Sequence, residues 1–195
     1  MPGWLEIKSS LYGAYRIARL DAGGLAHFNI SVEGFWRSFF AAIVVAPAYV
    51  LLLLVRNTAL QNQLGDSGPM PAEISFAPEF ITYVIGWITW PLIMLLVARL
   101  LGRTENFVPY IIVYNWANCI QVGLLLPVAV LTRGSVFPPE IAGIIGVIVT
   151  GLVLFYLWFI ARMVLGVKGW PAAGVVAIDI LLGILTANLI DRLFV

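Results

Sequence analysis

Hydrophobic residues in this chain are gathered into long continuous blocks rather than alternating with polar ones at short spacing. Five apolar blocks, separated by more polar connections, cover residues 35–55, 80–98, 107–131, 141–160 and 172–190. A helix needs about 20 apolar residues to cross roughly 30 Å of hydrocarbon, and each block has about that length. The pattern predicts an all-α, polytopic membrane bundle of five transmembrane helices, formed by residues 35–195.

Composition supports a membrane protein and excludes several other classes. Of the 195 residues, 62% are hydrophobic and only 11% are charged, which is far from the usual balance of a soluble domain. The net charge of +1 gives no reason to expect a nucleic-acid partner. The single cysteine, Cys119, lies inside the third block, so an intrachain disulfide is excluded.

The distribution of basic residues predicts the orientation. Lysine and arginine near the ends of membrane helices are retained on the cytoplasmic side. Eight basic residues fall on one side of the membrane in this arrangement. Lys8, Arg16, Arg19 and Arg37 lie in the N-terminal segment and at the start of the first block, Arg99 and Arg103 in the second connection, and Arg162 and Lys168 in the fourth. The opposite side has only Arg56, Arg133 and Arg192. We therefore expect an inner-membrane (plasma membrane) protein with a cytoplasmic N-terminus and an extracytoplasmic C-terminus.

Residues 1–34 precede the first block and form a separate cytoplasmic or interfacial segment. Its apolar residues Trp4, Ile7, Leu11, Tyr15 and Ala18 recur at helical spacing. This spacing predicts an amphipathic helix lying on the membrane surface, followed by a turn at residues 21–24. The residues expected to contact the membrane surface or a partner are Trp4, Lys8, Leu11, Tyr15, Arg16 and Arg19.

Polar residues inside the blocks are the best indication of function, because a charged side chain at bilayer depth is costly. Asp179 is the one acid well inside a block, and Asn115 would lie at a matching depth if the third and fifth helices are neighbours. We therefore expect an amide–carboxyl hydrogen bond between them. The candidate intramembrane polar cluster comprises Asp179, Asn115, Asn118, Gln121 and Tyr114. It would either fix helix packing through hydrogen bonds or bind a proton or cation along a pathway.

Two further patterns favour helix packing over chemistry. Ala142, Gly146 and Thr150 repeat at four-residue spacing, which lets helix backbones approach closely within the chain or between copies. Trp87 and Trp90 fall inside the second block, where packing within the bundle is the simpler interpretation.

An enzymatic function is not expected. The single histidine, His27, lies outside the blocks, so no histidine is available there as a general base or metal ligand. Nucleophile-elbow, zinc-protease and glycine-rich phosphate-loop motifs do not occur. The sequence predicts no catalytic residue, no metal site and no cofactor.

Two local sequences resemble a known family. Residues 11–17, Leu-Tyr-Gly-Ala-Tyr-Arg-Ile, are similar to the D-L-Y-G-P-x-W motif of the Yip-domain family. Residues 102–107, leading to Tyr114, resemble the glycine-containing turn and aromatic start of that family's third helix. The expected topology, with a water-exposed N-terminal segment, five spans, a cytoplasmic N-terminus and a very short C-terminal tail, also resembles this family. The resemblance is to a bacterial member and implies an inner-membrane protein of undefined activity.

These observations lead to two functional hypotheses. The first is a non-enzymatic membrane adaptor or assembly protein that presents residues 1–34 to a cytoplasmic or membrane protein. The alternative is a small transporter or channel subunit with a polar intramembrane site around Asp179. Membrane lipids are expected partners in both, and a homo-oligomer is compatible with either.

Overall fold

The computed structural model describes residues 1–64, 76–133 and 137–194. The α-helices in these residues are α1 Trp4–Ala18, α2 Val32–Ser38, α3 Phe40–Leu64, α4 Phe76–Leu100, α5 Phe107–Arg133, α6 Pro139–Val164 and α7 Gly169–Phe194. Short 3₁₀ turns at Ala22–His27 and Thr104–Asn106 precede α2 and α5. The regular structure of this part of the chain is therefore helical throughout, as predicted.

Membrane-spanning character is found in five helical segments of the described residues. They are Val32–Val55, Pro78–Leu100, Thr104–Thr132, Glu140–Val164 and Gly169–Ile190. All five are long and apolar enough to cross a bilayer, which confirms the predicted multi-pass helical fold. A helix satisfies its own backbone hydrogen bonds, so the helices continue a few residues beyond the purely apolar blocks.

Helix α5 occupies the centre of the bundle. It packs against α1, α2, α3 and α6, while α7 packs against α4 and α6. The first half of α5 is accordingly buried, and Ile111, Val113 and Ala117 are fully inaccessible. The helix with the most polar residues in its apolar block is thus enclosed by other helices.

The N-terminal helix α1 is packed into the bundle through one face. Ser10, Gly13, Ala14 and Ile17 are buried on that face. The hydroxyl of Tyr156 in α6 donates a buried hydrogen bond of 2.9 Å to the Ala14 carbonyl. The segment 1–34 is therefore anchored to the same bundle that contains the spans.

The apolar edge predicted for α1 coincides only in part with the face that packs against the bundle. Trp4 and Tyr15 are exposed, whereas Ile7, Leu11 and Ala18 are only partly buried against the core. The buried face is displaced from this edge because the small residues Gly13 and Ala14 allow closer packing than large side chains would. The side chains of Trp4 and Tyr15 therefore remain exposed on the outer surface of the bundle.

Two glycines allow α1 and the following 3₁₀ turn to touch. A Cβ atom on Gly13 would lie 2.8 Å from the Gly24 carbonyl oxygen, and one on Gly24 would lie 2.6 Å from the Gly13 carbonyl oxygen. Asp21 caps the turn by accepting a 2.9 Å hydrogen bond from the Gly23 amide. The turn predicted at residues 21–24 is present, and Gly13 serves the close backbone contact.

Helix α2 connects this segment to the first long helix. Ser31 caps its N-terminus, accepting a 2.9 Å hydrogen bond from the Gly34 amide. Arg37 lies 2.7 Å from a carboxylate oxygen of Glu6 in α1 and also pairs with Glu33 in α2. An ion-pair network therefore ties α1 to α2 just before α3 begins.

Candidate functional site

Helices α3, α4, α5 and α7 surround a cleft of 310 Å³, which we call the central cleft. The residues that line it are Val45 and Tyr49 from α3; Thr82, Tyr83, Gly86, Trp87, Thr89, Trp90 and Pro91 from α4; Tyr114, Asn115, Asn118 and Val122 from α5; and Asp179, Leu182, Gly183 and Thr186 from α7.

The open space in the cleft follows from small residues at helical spacing. Thr82, Gly86 and Thr89 lie on the cleft face of α4, and Gly183 and Thr186 lie on that of α7. A Cβ atom added to Gly86 or Gly183 would meet nothing within 4 Å. These positions leave volume at bilayer depth and place hydroxyl groups around it.

The central feature of the cleft is a pair formed by Tyr114 and Asp179. The Tyr114 hydroxyl lies 2.9 Å from Oδ1 and 3.0 Å from Oδ2 of Asp179. Within the described part of the chain, this phenol is the one hydrogen-bond donor to the carboxylate. A carboxylate offers about four acceptor positions, so a single O–H leaves most of them available to a ligand.

No basic side chain compensates this acid inside the cleft. Lysine, arginine and histidine are absent from the described residues that line it. Among the described residues, those that face the charge of Asp179 in the cleft carry hydroxyl, amide, aromatic or aliphatic groups. An ionised carboxylate in such surroundings attracts a cation or a proton.

The predicted hydrogen bond between Asn115 and Asp179 is wrong. The buried Asn115 amide nitrogen donates instead to the Ser38 hydroxyl at 2.9 Å, and that hydroxyl donates to the Phe35 carbonyl at 2.7 Å. Asn115 lies one residue beyond Tyr114, about 100° around α5, so its amide is directed toward the α2–α3 junction. Sequence reasoning missed Ser38 because it lies among apolar and aromatic residues with no distinguishing spacing.

The other predicted members of the cluster divide between two environments. Asn118 lines the cleft, and its amide donates to the Tyr114 carbonyl at 3.0 Å. Gln121 is buried outside the cleft, and its amide nitrogen has no hydrogen-bond partner among the described residues. The structure thus brings Asp179, Tyr114, Asn115 and Asn118 to one cleft but not Gln121.

Aromatic rings form much of the cleft wall. The ring centroids of Tyr49 and Tyr83 are 4.7 Å apart, those of Tyr83 and Trp87 are 6.1 Å apart, and those of Trp90 and Tyr114 are 5.3 Å apart. Trp87 and Trp90 pack as predicted, yet they also line the cleft, which the packing interpretation did not include. The signal available in the sequence was the repeat of threonine, glycine and aromatic residues along one face of α4.

A second acid lies near the beginning of α4. The Tyr49 hydroxyl donates to a Glu79 carboxylate oxygen at 3.3 Å. Glu79 precedes Trp90 by 11 residues, which corresponds to about 16 Å along the helix. A row of hydroxyl and aromatic groups therefore lies between this acid at one end of α4 and Asp179 deeper in the bundle.

The opposite end of the cleft is closed by tightly packed side chains. Met94 and Ala98, one and two turns beyond Trp90 on α4, are completely buried. Tyr110, one turn before Tyr114 on α5, is 2% exposed. The Asn115–Ser38 hydrogen bond lies near this end as well. The cleft is therefore blocked on the side where α1 and α2 cover the bundle.

The predicted surface residues of α1 lie outside the cleft. Lys8 places its ammonium nitrogen 5.0 Å from the Trp4 ring centre, and the Arg19 guanidinium lies 5.8 Å from the Tyr15 ring centre. Trp4 is 67% exposed. Cation–π pairs of this kind present an aromatic ring together with a positive charge, which suits the headgroup region of a membrane.

Arg16 belongs to a polar cluster behind this exposed face. Its guanidinium donates to the Asp21 carboxylate at 2.7 Å and lies 3.0 Å from the His27 ring nitrogen. The hydrogen bond from Arg16 holds the pKa of Asp21 below its ordinary value, and the bond from the Gly23 amide acts in the same direction. These contacts brace the 3₁₀ turn against α1.

The small-residue repeat on α6 consists of Ala142, Gly146 and Thr150, and no described helix packs closely against its glycine. A Cβ atom on Gly146 would meet no described atom within 4 Å, and Thr150 is exposed. Ala142 is partly buried. Close packing at this repeat within the chain is therefore not observed for Gly146, and contact with another copy stays a prediction.

The chain matches no known protein family, and no curated protein or solved structure is significantly similar to it. The candidate function therefore rests on the geometry of the central cleft.

Proposed function

We propose that this protein is a small membrane transporter or channel subunit that binds a proton or cation at Asp179 in the central cleft. The observation that carries the proposal is the Asp179 carboxylate, held by the Tyr114 hydroxyl alone among the described residues at the wall of a 310 Å³ cleft. The cleft gathers polar groups in a bundle whose spans are mainly apolar.

The energetic argument starts from the cost of an acid at bilayer depth. A charged residue near the centre of a membrane helix costs roughly 2.5–3.5 kcal/mol on insertion scales. One neutral phenol donor offsets only part of that cost, since a hydrogen bond to a charged group contributes about 1.5–3 kcal/mol. A bound cation or proton would neutralise the carboxylate and remove the remaining cost.

The shape of the cleft also favours movement of a ligand. Thr82, Thr186 and Tyr49 line it toward the end where α3 finishes and α4 begins, whereas Met94 and Tyr110 close its other end. A site near mid-depth with one closed side corresponds to a single state of an alternating-access cycle.

A flux measurement on the purified protein in liposomes tests the proposal. Proton and monovalent-cation fluxes are followed for the native protein and for Asp179→Asn, which preserves shape and removes the charge. The matched control is Glu105→Gln, because Glu105 is an exposed acid before α5. We expect Asp179→Asn to abolish the flux and the control to retain it. Equal flux in all three proteins would contradict the proposal.

A second function, that of an adaptor presenting its N-terminal segment to a protein partner, is favoured by the exposed side chains of α1. Trp4 and Leu5 are 67% and 82% exposed, and Tyr15 is 47% exposed. Lys8 adds a positive charge beside Trp4. Such a surface suits either a partner or the membrane interface.

Point substitutions on this surface test the adaptor function better than removal of α1, because removal would leave the Tyr156 hydroxyl without its Ala14 acceptor. The variant is Trp4→Ser with Tyr15→Ser. The control is Trp170→Ser, since Trp170 is 89% exposed on α7. We expect a partner protein to copurify with the native protein and with the control, but not with the double variant. Copurification unaffected by the double variant would exclude this surface.

A further inference from the structure

We infer that the ligand of the central cleft is an organic ammonium ion rather than a bare metal ion. This inference rests on the proposed cation binding at Asp179 and adds the chemical class of the cation. It is drawn from the aromatic side chains of the cleft, from their position relative to the single acid, and from the size of the space.

Aromatic side chains are the most abundant large groups of the cleft wall. Tyr49, Tyr83, Trp87, Trp90 and Tyr114 come from three helices and line the same space. Ring faces attract positive charge, and tryptophan does so most strongly. Alkylated ammonium groups are weakly hydrated at their methyl or methylene surface, so aromatic rings can contact them directly. Small metal ions instead keep their bound water and are recognised poorly by rings.

The acid is linked to the tryptophan Trp90 through Tyr114, which contacts both. Tyr114, which donates to Asp179, has its ring centre 5.3 Å from that of Trp90. A cation at the Asp179 carboxylate would therefore lie near the Tyr114 ring, which has Trp90 as its neighbour. One negative charge with several rings is the arrangement expected for a monovalent organic cation.

Coordination of a divalent metal ion is a poorer match to the same residues. Divalent ions such as calcium and magnesium require about six or more oxygen ligands, several of them anionic. In the described part of the chain, no group of three or more His, Cys, Asp and Glu side chains is arranged to hold a metal. Asp179 is the one carboxylate among the described residues that line the cleft.

The volume of the cleft agrees with an organic ligand. Its 310 Å³ lies at the lower end of the range of roughly 300–1,000 Å³ for small-molecule sites. A tetraalkylammonium ion with short chains fits this space and leaves room for water at the open end. The glycines at 86 and 183 provide the width, since neither has a neighbour within 4 Å of its Cβ position.

The experiment measures binding of tetraethylammonium to the full-length protein in detergent by isothermal titration and by quenching of tryptophan fluorescence. Tetraethylmethane is too insoluble as a neutral analogue, so the comparison pair is choline and its uncharged carbon isostere 3,3-dimethylbutan-1-ol. Sodium and potassium chloride are titrated separately, and the pH dependence of the fluorescence is recorded without added ligand.

Three variants assign the binding to the cleft. Asp179→Asn removes the charge, and Trp87→Leu removes a partly buried ring of the wall. Trp170→Leu is the matched control, because this tryptophan is 89% exposed and does not line the cleft. We expect binding to weaken at least tenfold in Asp179→Asn and by about threefold to tenfold in Trp87→Leu, in line with the strength of a cation–π contact. The control should bind like the native protein.

The outcomes separate the inference from the proposed function. Binding of tetraethylammonium and choline, with loss in Asp179→Asn and weak binding of the neutral isostere, supports both. A second outcome is that sodium, potassium or protons bind in an Asp179-dependent manner while neither ammonium ion binds. This outcome overturns the inference and leaves the proposed function standing. Equal binding of choline and its neutral isostere overturns the inference as well. The absence of any Asp179-dependent cation or proton response overturns both.

Discussion

Tyr114 donates its phenolic hydrogen to Asp179 across the interface of α5 and α7, at 2.9 and 3.0 Å from the two carboxylate oxygens. These residues are 65 positions apart in the sequence; Tyr114 lies about two turns into α5 and Asp179 nearly three turns into α7. Their contact joins the central helix of the bundle to the last one. It also places the acid at the wall of the central cleft.

Substitution of Tyr114 by phenylalanine should destabilise the protein through Asp179. The partly buried carboxylate would lose its donor, and since a fully buried unsatisfied polar group costs about 1–3 kcal/mol, the loss should lie toward the lower end of that range. We expect Tyr114→Phe to lower the melting temperature in detergent. The effect should be much smaller in an Asp179→Asn background, because the charge is then gone. Thermal unfolding of the two single variants and the double variant measures this coupling, and strictly additive effects would show that the pair does not act as a unit.

The hydrogen bond from Tyr156 to Ala14 should control how firmly α1 is attached. Tyr156→Phe removes a buried bond of 2.9 Å, and we expect a loss of about 1 kcal/mol. Hydrogen exchange of the amides in residues 4–18 should become faster while α5 and α6 keep their protection. The matched control is Tyr12→Phe, because Tyr12 is 52% exposed. Unchanged exchange in α1 of Tyr156→Phe would show that apolar packing alone holds the helix.

Alanine at Gly24 should disrupt the contact between α1 and the 3₁₀ turn. Its Cβ atom would lie 2.6 Å from the Gly13 carbonyl oxygen, which forces the backbones apart. Overpacking of this kind costs about 1–3 kcal/mol. Gly3→Ala is the control, because nothing lies within 4 Å of its Cβ position. Limited proteolysis of the N-terminal segment is expected to be faster in Gly24→Ala only, and equal rates in both variants would contradict the close approach.

Acid should loosen the same turn through Asp21. The Arg16 guanidinium lowers the pKa of Asp21 from its ordinary value of 3.8. A lowered pKa in the folded protein means that the contribution of Asp21 is fully present above pH 3.8 and is lost as the pH falls through the folded pKa. The protection factors of the amides in residues 16–24, which correct the exchange rates for the intrinsic effect of pH, should therefore fall as the pH drops through the folded pKa. Asp21→Asn should remove this part of the pH dependence, and an identical acid profile in both proteins would contradict the assignment.

The helical spans could be predicted from the sequence because a single strong signal determines them. About 20 consecutive apolar residues leave a chain few alternatives to a membrane helix. The predicted block 107–131 corresponds to α5, Phe107–Arg133, and the block 141–160 to α6, Pro139–Val164. The interruption at Phe39 between α2 and α3 was not predicted, since the apolar residues continue across it.

The details of the site depended on which helix faces meet, and a sequence does not contain that information directly. Asp179 was identified because an acid at bilayer depth is unusual in any arrangement. Its partner was expected to be Asn115 from matching depth, but rotation around α5 brings Tyr114 to the acid and Asn115 to Ser38. In α1, small residues determined the buried face, whereas the prediction followed the large apolar ones.

Chemical labelling of Asp179 tests the central claim most directly. A membrane-permeant carbodiimide is added to the native protein in liposomes, with and without sodium, potassium or tetraethylammonium ions, and the modified carboxyl groups are located by mass spectrometry. The account predicts that Asp179 is modified and that at least one of these cations slows its modification, whereas labelling of the exposed Glu105 is unchanged. An Asp179 that does not react would contradict an accessible carboxylate in the central cleft, and one that reacts equally fast with every cation present would contradict cation binding at that carboxylate.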